Sequence, residues 1–445
     1  MAAIQPIDID VTAGPQSVSR VGFGIPLIVG YTGQRAVLIT GTGASGIIAK
    51  SVTRRDTLSL VINVTGGSYI YAFASDVVTI TAPTGATVRD LIADFDANAP
   101  SNVTDEITLT ALTTGSGLVG AITETPLTFT DFRQILELSQ LDNFYDTTDP
   151  EYVIAQNMLA SVPSPRFLYI LDVQGSSDVA ADLATNDNGQ WYAIVATTTT
   201  ENEQLVLSDY VGTRKRIAIL TTSDAARLLN VRNQRTAWLP HDAPEDHPEA
   251  SWAALRLPLV PGQATWAYAG PLVGQTTNNT STLSELLTVR NNKGNSYVLN
   301  NGLSYVDEGL TTDPDRTTYI DQVRSRDWIE LNLEADLLQL LVNVGNLTGK
   351  IPYTNAGIAQ IVGVLENRLE QAGINGIIAP IETSAQAEQS SSANFRYSIE
   401  IPTREGIEEA TPEDITNRQL NRLNFSFVES GAIHGISGIG SVVLT

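Results

Sequence analysis

"FLYILDVQGSSDVAADLATNDNGQWYAIVATTTTENEQLVLSDYVGTRKRIAILTT", residues 167–222, decides the fold class. Three short, unbroken apolar runs, Phe167–Leu171, Trp191–Ala196 and Ile217–Leu220, are separated by segments of helical spacing at 177–186 and 201–213. A strand that meets a core on both faces shows no polar alternation, and parallel strands need a crossover between them. The pattern predicts a parallel sheet with helices on both faces. Thr200 and Ser223 stand at N-cap positions, the latter for a helix over 223–231. Upstream, Phe23–Val29 reads as another buried strand. The spacings Phe132, Ile135, Leu136 and Tyr152, Ala155, Met158, Leu159 predict helix.

Working outward, residues 40–126 change character. Alternating runs at Leu58–Val64, Tyr69–Phe73, Val77–Ala82 and Glu106–Leu112 read as strands around one helix, which Thr87 caps and which turns Val88, Leu91, Ile92 and Phe95 to one face. Asn301-Gly302 is a hairpin turn. Two long helices follow, about 317–343, with Trp328, Leu331, Ala335, Leu338 and Val342 along one stripe, and about 355–372, ended by Gly373. Strands return at Phe395–Ile401 and Leu423–Val428, then in a glycine-punctuated tail. At the other end Ile7, Ile9 and Val11 alternate with polar residues before Gly14 and Pro15. The fold class is therefore α/β and α+β multidomain: a central parallel sheet domain (21–39 plus 127–290), an inserted β-rich outer domain (40–126), a C-terminal α+β domain (291–430), and terminal arms at 1–20 and 431–445.

Composition excludes several classes of function. With 42% hydrophobic and 17% charged residues the chain is globular rather than disordered. Its net charge of −23 repels nucleic acid and anionic membranes, whose binding needs clustered Lys and Arg. There is no cysteine for a disulfide, a thiolate metal site or a nucleophile. The first residues, MAAIQPIDIDVTAG, are acidic, and no apolar stretch is long enough to span a bilayer, so a soluble, unsecreted protein is expected. Asn63-Val-Thr and Asn346-Leu-Thr are then expected to stay unglycosylated.

Gly41-Thr42-Gly43-Ala44-Ser45-Gly46 has the glycine spacing of a dinucleotide-binding turn. That turn must open a helix, yet residues 47–53 are rich in β-branched side chains, and Ile47 occupies the place of a P-loop lysine. A turn between strands is expected instead. His241, Asp242, Glu245, Asp246 and His247 are the only cluster with metal-ligand chemistry, but Pro244 and Pro248 frame them as a solvated loop. His434, in an alternating run Ala432–Ile436, reads as an interface or edge residue. No nucleophile elbow, zinc-protease helix or calcium loop is present. No catalytic, cofactor or metal residue is expected.

The segments "TTYIDQVRSRDWIELNLEADLLQLLVN" (317–343) and "KIPYTNAGIAQIVGVLENRLEQAGINGIIAP" (350–380) resemble the contractile-tail sheath proteins of bacteriophages. Upstream, "VGFGIPLIVGYT", "TDPEYVIAQNMLASVPSPRFLYILDV", "GQWYAIVAT" and "LRLPLVPGQATWAYAGPLVG" follow in that family's order. The resemblance covers most of residues 19–436 and lapses at 40–126, where such proteins differ by insertions. It implies a structural role with no cofactor: hexameric rings stacked around a tail tube, which the contracting sheath drives through the host envelope during genome delivery. The implied partners are other copies of this chain, the tube, and baseplate and terminator proteins, without nucleic acid or membrane insertion. The implied location is the phage virion, after assembly in the host cytoplasm. Other tail structural proteins, of tube or baseplate, are the nearest alternative, and an α/β enzyme is more remote.

The family's terminal strands pair with neighbouring subunits. The resemblance implies donated strands at Ile7, Ile9 and Val11 and at Ile439, Val442 and Leu444. The acceptor sheet is implied to contain Phe395, Tyr397, Ile399, Leu423, Phe425 and Phe427. Gly14-Pro15 and Gly438/Gly440 would act as hinges, and Arg324, Arg326 and Lys350 are the implied contacts to an acidic tube. Burial of each apolar side chain of a donated strand contributes about 1.5–3 kcal/mol before ordering costs. Ile7→Asp/Ile9→Asp should therefore abolish tubular polymers while leaving thermal unfolding of the monomer nearly unchanged. Normal tubes from that variant, in electron micrographs, would show that the arm is not donated.

Overall fold

The computed structural model describes residues 23–434 except 34, 53–57, 128–131, 174–175, 177, 227–229, 231–232, 279–281, 316, 348, 401–415 and 421–422. Its centre is a six-stranded sheet in the order Thr236–Pro240, Ile217–Thr222, Ala193–Ala196, Pro26–Gly30, Leu168–Asp172, Phe132–Ile135. Neighbours are parallel except for the last pair. The apolar runs are unbroken because successive side chains enter different cores. Ile28, Ile170, Val195, Ile219 and Leu239 face one layer, with Pro150–Ala160 and Pro248–Arg256 packed over it. Leu27, Leu171, Ile194, Leu220 and Trp238 face the other, under Val179–Thr185 and Glu201–Gly212.

One expectation changes here. Phe132 and Ile135 belong to an antiparallel edge strand, not a helix. An odd spacing sends them to opposite faces, and both faces are apolar: Ile135 enters one core, while Phe132 stacks on Tyr169 in the other. Thr200 does occupy the N-cap of Glu201–Gly212, yet its side chain makes no capping hydrogen bond. Of the segment expected as helix over 223–231, residues 227–229 and 231 lie outside the described residues.

Residues 36–127 enclose a core of their own, running from Ala36 to Leu127. One sheet orders Val37–Thr40, Ile47–Ser51 and Ile107–Ala111; another orders Ile70–Ala74, Val77–Ala82, Ser59–Val64 and Ile122–Pro126. Over them lies helix Val88–Asn98, opened by a reciprocal cap between Thr87 and Asp90, with Val88, Leu91 and Phe95 buried. The Gly41–Gly46 stretch joins two antiparallel strands. Its Ser45 and Gly46 amides already donate to Thr42 and Gly43 carbonyls within the turn. Amides satisfied in this way do not form a phosphate cradle. At the base of the module Arg35 pairs with Asp146, the Lys50 ammonium donates to the Asp142 carbonyl at 2.9 Å, and the Thr32 amide donates to buried Glu151.

The loop at 241–248 is less solvated than its composition suggests. Asp242, Glu245 and Asp246 are exposed, but both histidines are buried. His241 Nε2 lies 2.7 Å from the Thr276 carbonyl, and His247 Nδ1 lies 3.1 Å from Glu249 Oε1. Each ring is thus committed to the protein's own groups. Among the described residues no three His, Asp or Glu side chains are placed to hold a metal ion.

Tyr297–Asn300 and Leu303–Val306 pair across Asn301-Gly302, where φ is +51° and +80°, the two left-handed residues a tight hairpin turn requires. The chain then enters helix Ile320–Leu347. Its first half is bolted to the sheet domain by buried charges. Arg235 donates to both Asp327 oxygens, at 2.8 and 2.9 Å, and the Tyr192 hydroxyl adds a third bond at 2.7 Å. Lys215 pairs with Glu330 and lies 3.7 Å from Glu334. Burial pushes the Glu330 carboxyl up to about 7, against the pull of Lys215. From Ile329 onward the helix also packs with Asn355–Ile374 in a separate core of Ile329, Leu333, Leu337, Leu365 and Leu369.

Removing one member of a buried ion pair leaves the other without compensation, which costs about 3–5 kcal/mol. Asp327→Ala should lower subunit stability by that amount in urea unfolding, whereas Arg235→Met/Asp327→Leu should lose much less. Equal losses in the two variants would show that packing, rather than the stranded Arg235, sets the cost.

Candidate assembly interface

The C-terminal sheet consists, among the described residues, of Tyr397–Glu400 and Asn424–Phe427 in antiparallel pairing. Tyr397 opposes Phe427 and Ile399 opposes Phe425, so these four side chains share the face that packs on the two long helices. Ser398 and Ser426 oppose each other on the outer face, their hydroxyls 2.9 Å apart. Phe395 precedes the strand and bridges to Pro380; Leu423 packs against the same core. The Tyr397 hydroxyl donates to Glu370 at 3.0 Å, and burial together with that bond pushes the phenol up to about 12.

The two edges of this sheet differ. The Val428 amide donates to the Arg396 carbonyl, which makes Tyr397/Phe427 a non-hydrogen-bonded pair. The main-chain groups of Tyr397 and Ile399 then point to one edge, and those of Phe425 and Phe427 to the other. On the first edge Ser391 covers them: its amide donates to the Tyr397 carbonyl at 2.8 Å, and its hydroxyl accepts from the Ile399 amide at 2.9 Å. On the second edge no strand among the described residues pairs with Asn424–Phe427. Such an edge is a template for another strand. The donor strands expected at Ile7, Ile9 and Val11 and at Ile439, Val442 and Leu444 lie outside the described residues, as do Gly14, Pro15, Gly438 and Gly440.

Of the three cations expected to meet a tube, Arg324 is placed elsewhere. It is 3% exposed, and its guanidinium donates to the carbonyls of Arg256, Leu257 and Leu259 beside the Phe23 and Trp266 rings. Burial pulls it down to about 10, still charged at neutral pH. It is an internal clamp because three carbonyls at a helix end need donors that water cannot supply. Arg326 is partly exposed and pairs with Glu429 at 2.7 Å. Lys350 is exposed in the turn between the long helices.

That end of the helix pair carries what sequence reasoning missed. Leu331 is buried, but Leu338 and Val342, placed on the same stripe, are 43% and 50% exposed, and Leu341 is 42% exposed. The run Leu337–Val344 is apolar around most of the helix, so one stripe can face the core while another faces out. The all-round apolarity of "LLQLLVNV" was the available clue. Contiguous exposed apolar side chains of this kind mark contact surfaces.

Residues 320–387 match the family model described as "E217 tail sheath protein gp31-like, C-terminal domain". The whole chain is similar in fold to a chain from the cryo-EM structure of the anti-feeding prophage baseplate, 6-fold symmetrised, with a TM-score of 0.53, 11% identity and 100% of both chains covered. It is likewise similar to a chain from the anti-feeding prophage helical sheath in the contracted state, with a TM-score of 0.51, 11% identity, and 100% of this chain and 99% of that one covered. No curated protein sequence matches it.

Exposed residues away from special contacts change folding stability little, within about 0.5 kcal/mol. Leu338→Asp/Leu341→Asp should therefore unfold in urea as the parent does, yet fail to polymerise. Polymers formed as readily as by the parent would remove this stripe from the interface.

Proposed function

We propose that this chain is a structural subunit of a contractile tail sheath, polymerising as stacked hexameric rings around a tail tube and shortening to drive that tube through a host envelope. The observation that carries this reading is the match of residues 320–387 to a tail-sheath family model, over the helix pair that bears the exposed apolar stripe. The open edge of Asn424–Phe427 supports it physically. An extended segment from another subunit adds to such an edge through main-chain hydrogen bonds, with Ile7, Ile9 and Val11 or Ile439, Val442 and Leu444 as the donors. Head-to-tail donation of this kind closes into rings or continues as a helix.

On this reading the end of the helix pair, with Leu338, Leu341, Val342 and Lys350, faces the tube, while Arg326, twelve residues before Leu338 and paired with Glu429, lies about 18 Å back along the helix. The module at 36–127 has its own core and lies outside, where it leaves lattice contacts undisturbed. Contraction repositions the globular bodies while donated strands stay paired, which requires a body-to-body interface with two stable arrangements. Free subunits repel one another through their net charge of −23, so assembly starts from a nucleus rather than by indiscriminate aggregation.

Negative-stain microscopy of the purified protein tests the proposal. Hollow helical tubes with six subunits per turn-layer and a lumen wide enough for a protein tube are expected. Narrow solid tubes, single plates or a persistent monomer in the presence of tail tubes would each overturn it, the first two in favour of a tube or baseplate component.

A further inference from the structure

A cavity of about 320 Å³ opens where the sheet domain, the start of the long helix and the C-terminal sheet meet. Its walls come from residues 262–265, from the first turns of Ile320–Leu347 and from the stretch that runs from Glu429 to His434. Two carboxylates line it, Asp321 and Glu429. Glu429 is matched: Arg326 pairs with one oxygen at 2.7 Å, and Gln322 donates to the other at 3.0 Å. Asp321 is not. Its Oδ1 accepts from the Gln322 amide at 3.0 Å, but no Lys or Arg among the described residues forms an ion pair with it. Arg324, three residues on, interacts with it through space yet gives its hydrogen bonds to the Arg256, Leu257 and Leu259 carbonyls. Burial holds the Asp321 carboxyl above its ordinary value, as it does for an acid whose desolvation no bonded cation offsets.

The described residues begin at Phe23, close to this cavity. The Phe23 ring lies 5.4 Å from Arg324 Cζ, and the helix neighbours of Arg324, Asp321 and Ser325, line the cavity. Gly24 fixes the approach. Its φ is +88°, and a Cβ there would stand 2.7 Å from the Leu257 carbonyl oxygen, so the backbone lies against the segment that runs on to 262–265. Three residues before Phe23 stands Arg20, in Val18-Ser19-Arg20-Val21-Gly22. Three extended residues span about 10 Å, and the three helical residues from Arg324 back to Asp321 about 4.5 Å, so the Arg20 side chain has the reach. It is also the only Lys or Arg before Arg35. A single cation on a short tether thus complements a carboxylate that has no bonded cation. The arginine fork suits a carboxylate better than a point charge does.

We propose that this cavity is the seat of the chain's own N-terminal segment: Arg20 enters it and pairs with Asp321, which holds residues 18–22 against the body. The tether decides between this segment and that of a second copy. A link of three residues keeps Arg20 at a local concentration that dilute free subunits do not match. The seat does not rest on the sheath reading. Taken together with that reading, it sets the point from which the strand of Ile7, Ile9 and Val11 is donated, with Gly14-Pro15 as the joint beyond it.

Trypsin reads the seat directly, because it cuts after Arg20 only when that side chain is free, and no Lys or Arg precedes it. The full chain is digested while dilute and unpolymerised, and mass spectrometry follows the loss of residues 1–20. That cut should be about tenfold faster in Asp321→Asn than in the parent, the scale of one charge-assisted hydrogen bond when cleavage tracks the open population. Equal rates, fast or slow, would overturn the seat. Should Asp321→Asn fold poorly, cross-linking answers instead, since the chain has no cysteine of its own. Ser19→Cys/Gln263→Cys keeps both Arg20 and Asp321 and places one thiol on the segment and one on the cavity wall. A short bismaleimide should then close a loop within single chains. Covalent dimers in place of that loop would assign the cavity to the segment of a second copy, and the absence of any cross-link would place the segment elsewhere; either result overturns the proposal.

Discussion

The Arg235–Asp327 pair, with Tyr192 completing it, is the constraint on which the arrangement of the rest depends. Both partners are almost wholly buried, so each charge is tolerable only while the other is in place. A guanidinium fork bonded to both oxygens of one carboxylate also fixes direction, which apolar packing does not. It therefore sets one rotation and one depth for the long helix against the ends of the parallel strands. Lys215 with Glu330 repeats the constraint one turn along, and Arg324 does so a turn earlier through backbone carbonyls.

What that helix carries follows from its seating. Its far half projects from the sheet domain and, with Asn355–Ile374, makes the platform on which Tyr397, Ile399, Phe425 and Phe427 lie. The platform fixes which edge of the C-terminal pair is closed by Ser391 and which has no partner strand among the described residues. It also holds Leu338, Leu341 and Val342 in solvent. An open strand edge and an exposed apolar stripe on one rigid unit, itself clamped to a second domain, suit the proposed assembly. On the proposed function, load applied at either surface would pass into the body through buried charges. The 36–127 module is tied on elsewhere, through Arg35, Lys50 and Thr32, and takes no part in that path.

Much of this was legible locally. The parallel sheet followed from unbroken apolar runs, the Thr87 cap and the Asn301-Gly302 turn from residue chemistry, and the C-terminal pair from alternation. Failures arose where two environments write the same local pattern. Phe132 and Ile135 have helical spacing and a strand's fate, because an edge strand between two cores buries both parities. Leu338 and Val342 continue a stripe that is buried two turns earlier, at Leu331, and exposed where the helix outruns its support. His241 and His247 sit among acidic and proline residues yet turn inward.

The sequence by itself determined the elements: periodicity, caps and turn residues act over a few positions, and their energetics are settled within that reach. It also determined the overall charge and the lack of thiol chemistry. Tertiary structure alone decided what each charge does, because burial and pairing involve residues far apart in the chain. Arg324 reads as a surface cation and is an internal clamp for carbonyls more than sixty residues away. Asp327 reads as one of many solvating acids and is a buried anchor for Arg235. Desolvation gives a charge its structural worth, and desolvation exists only once the chain has folded.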